Sequence, residues 1–245
     1  MKLEASAVTD IGRVRKSNQD AVGCFPDLCL FMVADGMGGL RDGEVASRLA
    51  VEQIHGFFAN PSTNEPSGDG TGALSAAILA ANERLLQEAE RHGGGPSRPT
   101  LGATIVALRV SAERGTAIWG HVGDSRLYRA RRGQLELLTA DDTLPGAPYR
   151  GGSPVPLTLP HTNQLVQALG TSDEVEPTLG EAEIEVGDVY LLCSDGVSGL
   201  IAPEVIEQEL VSDSGVEEKA QNLIRLALEA SGRDNASVVL VRAAP

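Results

Sequence analysis

The sequence predicts a single α+β domain in which strands and paired helices form separate layers. Strand-like runs and helix-like runs come in separate blocks rather than alternating as strand–helix–strand units, which points away from a parallel doubly wound sheet. The chain has 245 residues, enough for one substantial core. It shows neither an internal repeat nor a linker convincing enough to divide it, so residues 1–245 are expected to form one domain.

The elements follow in order. Short strands are expected at Glu4–Thr9 and Ala21–Phe25. Leu28–Ala34 (Leu-Cys-Leu-Phe-Met-Val-Ala) is apolar throughout and reads as a strand buried on both faces. From Asp42 to Ala59, Ala46, Leu49, Ala50, Ile54 and Phe57 fall on one helical face. A polar loop, Asn60–Gly70, leads to a second helix carrying Leu74, Ala77, Ile78, Ala81, Leu85 and Ala89 at helical spacing. After the Gly93-Gly94-Gly95-Pro96 break, Ala103–Val110, Thr116–Val122, Arg126–Ala130 and Gln134–Leu138 read as an antiparallel meander. Thr143–His161 is irregular and rich in proline and glycine. Glu183–Val186 and Val189–Cys193 flank Gly187-Asp188, the pattern of a tight hairpin. Ser214-Gly215-Val216-Glu217 has the form of a capping box opening a last helix, which Gly232 ends before a buried strand at Ser237–Val241.

Composition narrows the function. A formal net charge of −14 disfavours nucleic acid, whose phosphates need basic surfaces. No apolar run reaches the length of a membrane span, and the first residues lack a basic-then-apolar export signal. The three cysteines, Cys24, Cys29 and Cys193, cannot all pair and lack the common zinc spacing, so reduced core thiols in a cytoplasmic protein are expected.

Five aspartates sit within two residues of a glycine or asparagine where apolar runs begin or end. They are Asp20 (Ser17-Asn18-Gln19-Asp20), Asp35 (Asp35-Gly36-Met37-Gly38-Gly39), Asp124 (Gly123-Asp124-Ser125-Arg126), Asp195 (Ser194-Asp195-Gly196) and Asp234 (Gly232-Arg233-Asp234-Asn235). Carboxylates at strand ends, distant in sequence, are a way for a sheet to build an oxygen cage for magnesium or manganese. A calcium loop would instead cluster its ligands in a dozen residues. No cysteine is followed six residues on by arginine, and there is no Gly-Lys-Ser/Thr phosphate loop, which disfavours cysteine-nucleophile phosphatases and P-loop nucleotide enzymes.

These blocks, with Thr9-Asp10-Ile11-Gly12-Arg13-Val14-Arg15-Lys16 ahead of them, resemble in order and spacing the metal-dependent serine/threonine protein phosphatases of the phosphatase 2C type, from about residue 5 to 242. The resemblance implies a four-layer α-β-β-α sandwich, two antiparallel sheets flanked by helix pairs, with a binuclear Mn2+ or Mg2+ centre at one end. It implies that Asp35 bridges two cations, that Gly36 offers its carbonyl to one of them, that Asp195 and Asp234 complete the ligands of the first cation, and that Asp20 serves the second cation, directly or through water. Asp124 with Asp195 would hold a third, weaker cation, and Arg15 would grip the phosphoryl group as a planar fork. The reaction implied is hydrolysis of phosphoserine or phosphothreonine by in-line attack of a metal-bridging hydroxide. The implied partners are phosphorylated proteins and an opposing serine/threonine kinase, with no nucleic acid and no membrane, and a monomer is expected.

Three departures matter. Met37 stands where many relatives have a histidine that could protonate the leaving group, and Gln19 where many have glutamate. The segment about 142–162 falls at the family's flap, yet its prolines and glycines disfavour the short helix common there. Tyr149 and Arg150 lie within it, and Gly38 and Gly39 are expected to serve a tight turn. His121 and Trp119 read as core residues, Thr104 as packing, Arg13 and Lys16 as solvated charges, and His55 and His161 have no motif support. The alternative to an active enzyme is a catalytically silent or strictly substrate-gated signalling module on the same fold. A silent module predicts loss of a metal aspartate or of the phosphate arginine, and all of these residues are present.

Overall fold

The computed structural model describes residues 1–37, 42–60, 70–95, 99–111, 114–144 and 164–245. Two five-stranded antiparallel sheets stack face to face. The first has the order β1 (Lys2–Asp10), β10 (Ala236–Ala244), β9 (Val189–Cys193), β6 (Arg126–Arg131), β7 (Gln134–Leu137). The second has the order β2 (Asp20–Phe25), β3 (Leu30–Asp35), β4 (Ile105–Ser111), β5 (Thr116–Val122), β8 (Thr178–Glu183). Helices α1 (Gly43–Ala59) and α2 (Gly70–Arg91) cover the outer face of the second sheet, while α4 (Pro203–Val211) and α5 (Val216–Ala230) cover the first. A single turn, α3 (Asp195–Ser198), follows β9 directly.

The four layers explain why the central strands lack polar alternation. Along β3, Leu30, Met32 and Ala34 pack under α1 and α2, while Phe31 and Val33 point between the sheets. Along β9, Leu191 and Cys193 pack under the other helix pair, while Tyr190 and Leu192 meet the inter-sheet layer. Each fully buried side chain of this size contributes roughly 2–3 kcal/mol. Trp119 is in the inter-sheet core, as expected. The strand expected from Leu28 starts at Leu30, because Pro26–Leu28 form a 3-10 turn closed by Cys29 in the left-handed region (φ 50°). Cys24, Cys29 and Cys193 are all free thiols.

Three local expectations are corrected. The four-strand meander does not form: β4 and β5 pair in one sheet, but β6 and β7 belong to the other. Gly123 makes the transfer. Its φ of +102° suits glycine, and a Cβ there would collide with Thr104. The hairpin around Gly187-Asp188 does not form: the strand expected at Glu183–Val186 lies earlier, as β8 ending at Glu183, and the turn is likewise a crossing, because β8 pairs with β5 whereas β9 pairs with β10 and β6. In both cases the strands flanking the turn are claimed by different sheets, each burying its own outer face against a helix pair. The capping box at Ser214–Glu217 is replaced by Gly215 as N-cap without a side-chain hydrogen bond. Gly232 does end α5, at φ +57° with its N–H on the Ala227 carbonyl. Helices α3 and α4 were not anticipated, and α4 buries only Ile206 and Leu210 of its nine residues, too few to show a period. The expected flap lies outside the described residues beyond Leu144, as do Gly38, Gly39, Tyr149, Arg150 and His161.

Antiparallel pairing gathers chain ends. Asp10 pairs with Ala236, Asp20 with Asp35, Ile105 with Val122, and Arg126 with Cys193. One end of the sandwich therefore collects the end of β1, the start of β2, the end of β3, the turn from β5 to β6, the end of β9 and the start of β10.

Candidate metal centre

All five sequence-predicted aspartates lie at this end. Asp20 opens β2 directly across from Asp35, which closes β3. Asp124 sits in the crossing turn after Gly123, Asp195 starts α3 two residues after β9, and Asp234 lies between α5 and β10. Two glycines permit this crowding. A Cβ on Gly36 would strike the Gly43 carbonyl at the start of α1, and one on Gly196 would strike the Asn235 carbonyl. Gly36 donates its N–H to the Gln19 carbonyl (3.0 Å), tying β3 to the strand-entry loop.

A hydrogen-bond scaffold fixes these segments. Asn235, buried beside Asp234, donates through Nδ2 to the carbonyls of Ile11 (2.8 Å) and Ser17 (3.0 Å), and its Oδ1 accepts the Gln19 N–H (2.9 Å). Ser194 Oγ donates to Asp20 Oδ2 (2.8 Å) and accepts the Ser237 N–H (3.1 Å). The hydroxyl of Thr104 accepts the Asp35 N–H (3.0 Å) and shares a hydrogen bond with Ser125 (2.7 Å). Thr104 therefore does more than pack: it links the Asp35 strand end to the Asp124 turn. Arg15 donates from Nη2 to Asp234 Oδ2 (2.7 Å), at the partly exposed mouth of the site.

The electrostatics are those of carboxylates crowded without enough partners. Burial raises Asp35 well above the usual carboxylate range, and the charges of Asp20, Asp195, Asp124 and Asp234 add to it in that order. Asp20 is pushed up to about 6, mainly by burial, against the lowering effect of the nearby Ser237 and Ser194 hydroxyls. Asp124 is pushed up to about 7 by burial, then by Asp195 and Asp141. Asp195 is raised by burial and Asp234, with Asp35, Arg15 and Arg233 acting in the opposite direction. The Arg15 guanidinium is raised, first by its hydrogen bond to Asp234.

These residues fit hard divalent cations. Asp20 Oδ1 is buried without any hydrogen-bond partner, a costly arrangement for a carboxylate oxygen and a suitable one for a cation ligand. The donors are oxygens throughout, the set that magnesium and manganese take. Among the described residues no three carboxylates, histidines or cysteines already converge into a finished cage. Arg15 holds Asp234 by its hydrogen bond.

Beside the aspartates lies a cleft of about 250 Å³ lined by Asp124, Arg126, Thr143, Ser198 and Arg233 among others. A larger depression of about 460 Å³ opens at the opposite end of the sandwich, around Arg131, Glu185 and Asp188. The crowded aspartates are absent there, so the smaller cleft is where chemistry belongs. His121 is buried on β5 with Nε2 on the Ala140 carbonyl (2.8 Å), a core position as expected. His55 stacks on Phe25, away from the aspartates.

Sequence reasoning missed Asn18, Ser194, Asn235 and Ser237 as positioning residues. Each lies within three residues of a predicted aspartate, which was the available signal. The hydroxyl and amide partners they choose, across as many as 228 residues in sequence, were not legible.

The profile of the family described as Protein phosphatase 2C matches residues 13–237. The chain is 37% identical over 241 residues to the serine/threonine protein phosphatase PstP of Mycobacterium tuberculosis, covering 97% of this chain and 44% of that protein. It thus spans less than half the length of that relative. It is 30% identical over 245 residues to the protein phosphatase PhpP of Streptococcus pneumoniae, covering 98% of this chain and 97% of that one. Among solved structures, the catalytic domain of PstP in complex with two manganese ions superposes with a TM-score of 0.81 at 34% identity, over 99% of both chains.

Proposed function

The chain belongs to the protein phosphatase 2C family, and from that premise we propose that it is a metal-dependent phosphoprotein phosphatase acting on phosphoserine and phosphothreonine. The observation that carries the reading is the convergence of five aspartates on one end of the sandwich, one of them with an orphaned buried oxygen. Near neutral pH, bound dications would relieve such crowding and satisfy the bare oxygen.

Asp35 would lie between two Mn2+ or Mg2+ ions. The Gly36 carbonyl, Asp195 and Asp234 would hold one of them, Asp20 the other, and Asp124 with Asp195 a third, weaker one. When bound, the cations neutralise phosphoryl charge and acidify water. The chain's own groups do the rest. Arg15, already ordered by Asp234 at the mouth, presents its remaining N–H groups to orient the phosphoryl oxygens. Thr104 and Ser125 hold the Asp35 backbone and the Asp124 turn in fixed relation. Met37 cannot donate a proton, so the leaving alcohol takes its proton from water or from another group of the site. A serine/threonine kinase is the implied opposing partner, and the cytoplasm is the implied setting. No helix among the described residues is long and apolar enough to cross a membrane.

The test is hydrolysis of a phosphothreonine peptide and of para-nitrophenyl phosphate with manganese, magnesium or chelator. Manganese-dependent turnover that chelator abolishes, and that Asp35→Asn lowers by more than about a hundredfold, is the expected result. A folded protein inert with every metal and both substrates would overturn it.

A further inference from the structure

The arginines of this acidic chain are mostly spoken for. Among the described residues, Arg48, Arg84, Arg91, Arg129 and Arg225 pair with glutamates, Arg126 with Asp141, and Arg131 and Arg132 with Glu185 at the far end. At the mouth of the aspartate site the pattern reverses. Arg13, Lys16 and Arg233 are exposed, and none of them makes a side-chain hydrogen bond or ion pair among the described residues. Together with Arg15 they place four cations on one rim of a chain whose formal charge is −14.

This rim is rigidly presented. Arg13 donates its N–H to the Gly232 carbonyl (2.7 Å), and its side-chain carbons lie against Gly232, the residue before Arg233. Gly12, at φ +80°, sits so close to the Asp234 backbone that a Cβ would collide with it, and its N–H is held by Asp10 Oδ1 (2.7 Å). Asn235 anchors the loop at both Ile11 and Ser17. The two segments are therefore tied to each other at several points. Arg233 also lines the cleft that contains Asp124, Asp195 and Asp234. Free cations on a fixed ledge beside the reacting position are placed to meet charges on a substrate rather than charges of their own chain.

We propose that Arg13, Lys16 and Arg233 form a basic lip that selects phosphopeptides carrying negative charge beside the scissile phosphate, either carboxylates or a second phosphate. The proposal rests on the phosphatase reading and names its substrate class. Exposed charges of this kind act chiefly on encounter and binding. The advantage of an acidic peptide should therefore lie in KM, reach about tenfold for three pairs, and shrink as salt rises.

The experiment compares kcat and KM of the manganese-loaded protein on phosphothreonine peptides with glutamate, a second phosphothreonine, glutamine or lysine at the flanking positions, with para-nitrophenyl phosphate as the uncharged-flank control. The expected order is acidic above neutral above basic. Arg13→Gln combined with Lys16→Gln, neither of which lines the cleft, should collapse it, while turnover of para-nitrophenyl phosphate and of the glutamine peptide stays unchanged. Arg233→Lys should retain most of it. Preference for the doubly phosphorylated peptide alone would assign the lip to phosphate, and equal preference would assign it to negative charge in general. Normal turnover of para-nitrophenyl phosphate with no ranking among the peptides, or a ranking that survives the double substitution, overturns the lip and leaves the phosphatase standing. No turnover of any substrate overturns both.

Discussion

The two ends of the sandwich each bury an aspartate, and they treat it in opposite ways. At the far end Asp188, 1% exposed, is fully answered: Arg131 reaches it through Nε (2.7 Å) and Nη2 (2.6 Å), and the Glu185 N–H adds a third bond (2.8 Å). At the near end Asp20, 8% exposed, receives Ser194 on one oxygen and nothing on the other, while its charged neighbours are other aspartates. A buried carboxylate with a protein partner serves stability. One left to its own kind is a request for a ligand.

The sharpest way to break this contrast is to neutralise each aspartate in turn. Asp20→Asn should lower manganese-dependent turnover by about a hundredfold while leaving the cation-free protein at least as stable. Asp188→Asn should cost about 3 kcal/mol of unfolding free energy and leave kcat of the folded protein unchanged. Chemical denaturation and steady-state kinetics on both variants decide it, and like effects from both would erase the distinction.

Arg15→Ala tests a residue shared between structure and chemistry. Its ion pair with Asp234 is partly exposed, 39% and 29% for the two side chains, so stability should change by less than about 1 kcal/mol. If it orients the phosphoryl group, kcat/KM should fall about 10- to 100-fold; an unchanged kcat/KM would confine it to a surface role. Asn235→Ala removes three hydrogen bonds to two backbone segments and should cost about 2 kcal/mol, read from denaturant midpoints with and without manganese.

The smallest effect concerns pH. Asp20 (about 6) and Asp124 (about 7) are raised above their unfolded value near 3.8. Between about pH 4 and 7 the folded cation-free protein therefore holds more protons than the unfolded chain, so stability is greatest at the acid side and falls as pH rises. A drop of a few degrees in Tm across that window is expected with chelator. Saturating manganese should flatten it, since cations favour the ionised form. A cation-free Tm that climbs from pH 5 to 7 would contradict the electrostatic account of this end.

How far the sequence carries can be seen in particular elements. The buried strand ending at Asp35, the helix closed by Gly232 and the five aspartates at the ends of apolar runs were all legible, because apolar periodicity and glycine requirements are local properties of the chain. The crossings at Gly123 and Gly187 were not. A turn's sequence reports its own backbone geometry and says nothing about which sheet will claim the strands on either side. The scaffold of Asn235, Ser194 and Thr104 was hidden for a related reason: a hydrogen bond between residues far apart in sequence exists only once both have been brought to the same strand ends.

By itself, then, the sequence determined the layered α+β class, the family and the aspartates, since these rest on patterns that each segment carries alone. Tertiary structure decided which strands face which sheet, which buried carboxylate is answered and which is left bare, and which cations remain free on the rim. Those properties depend on distance in space, and only the packed sandwich sets it.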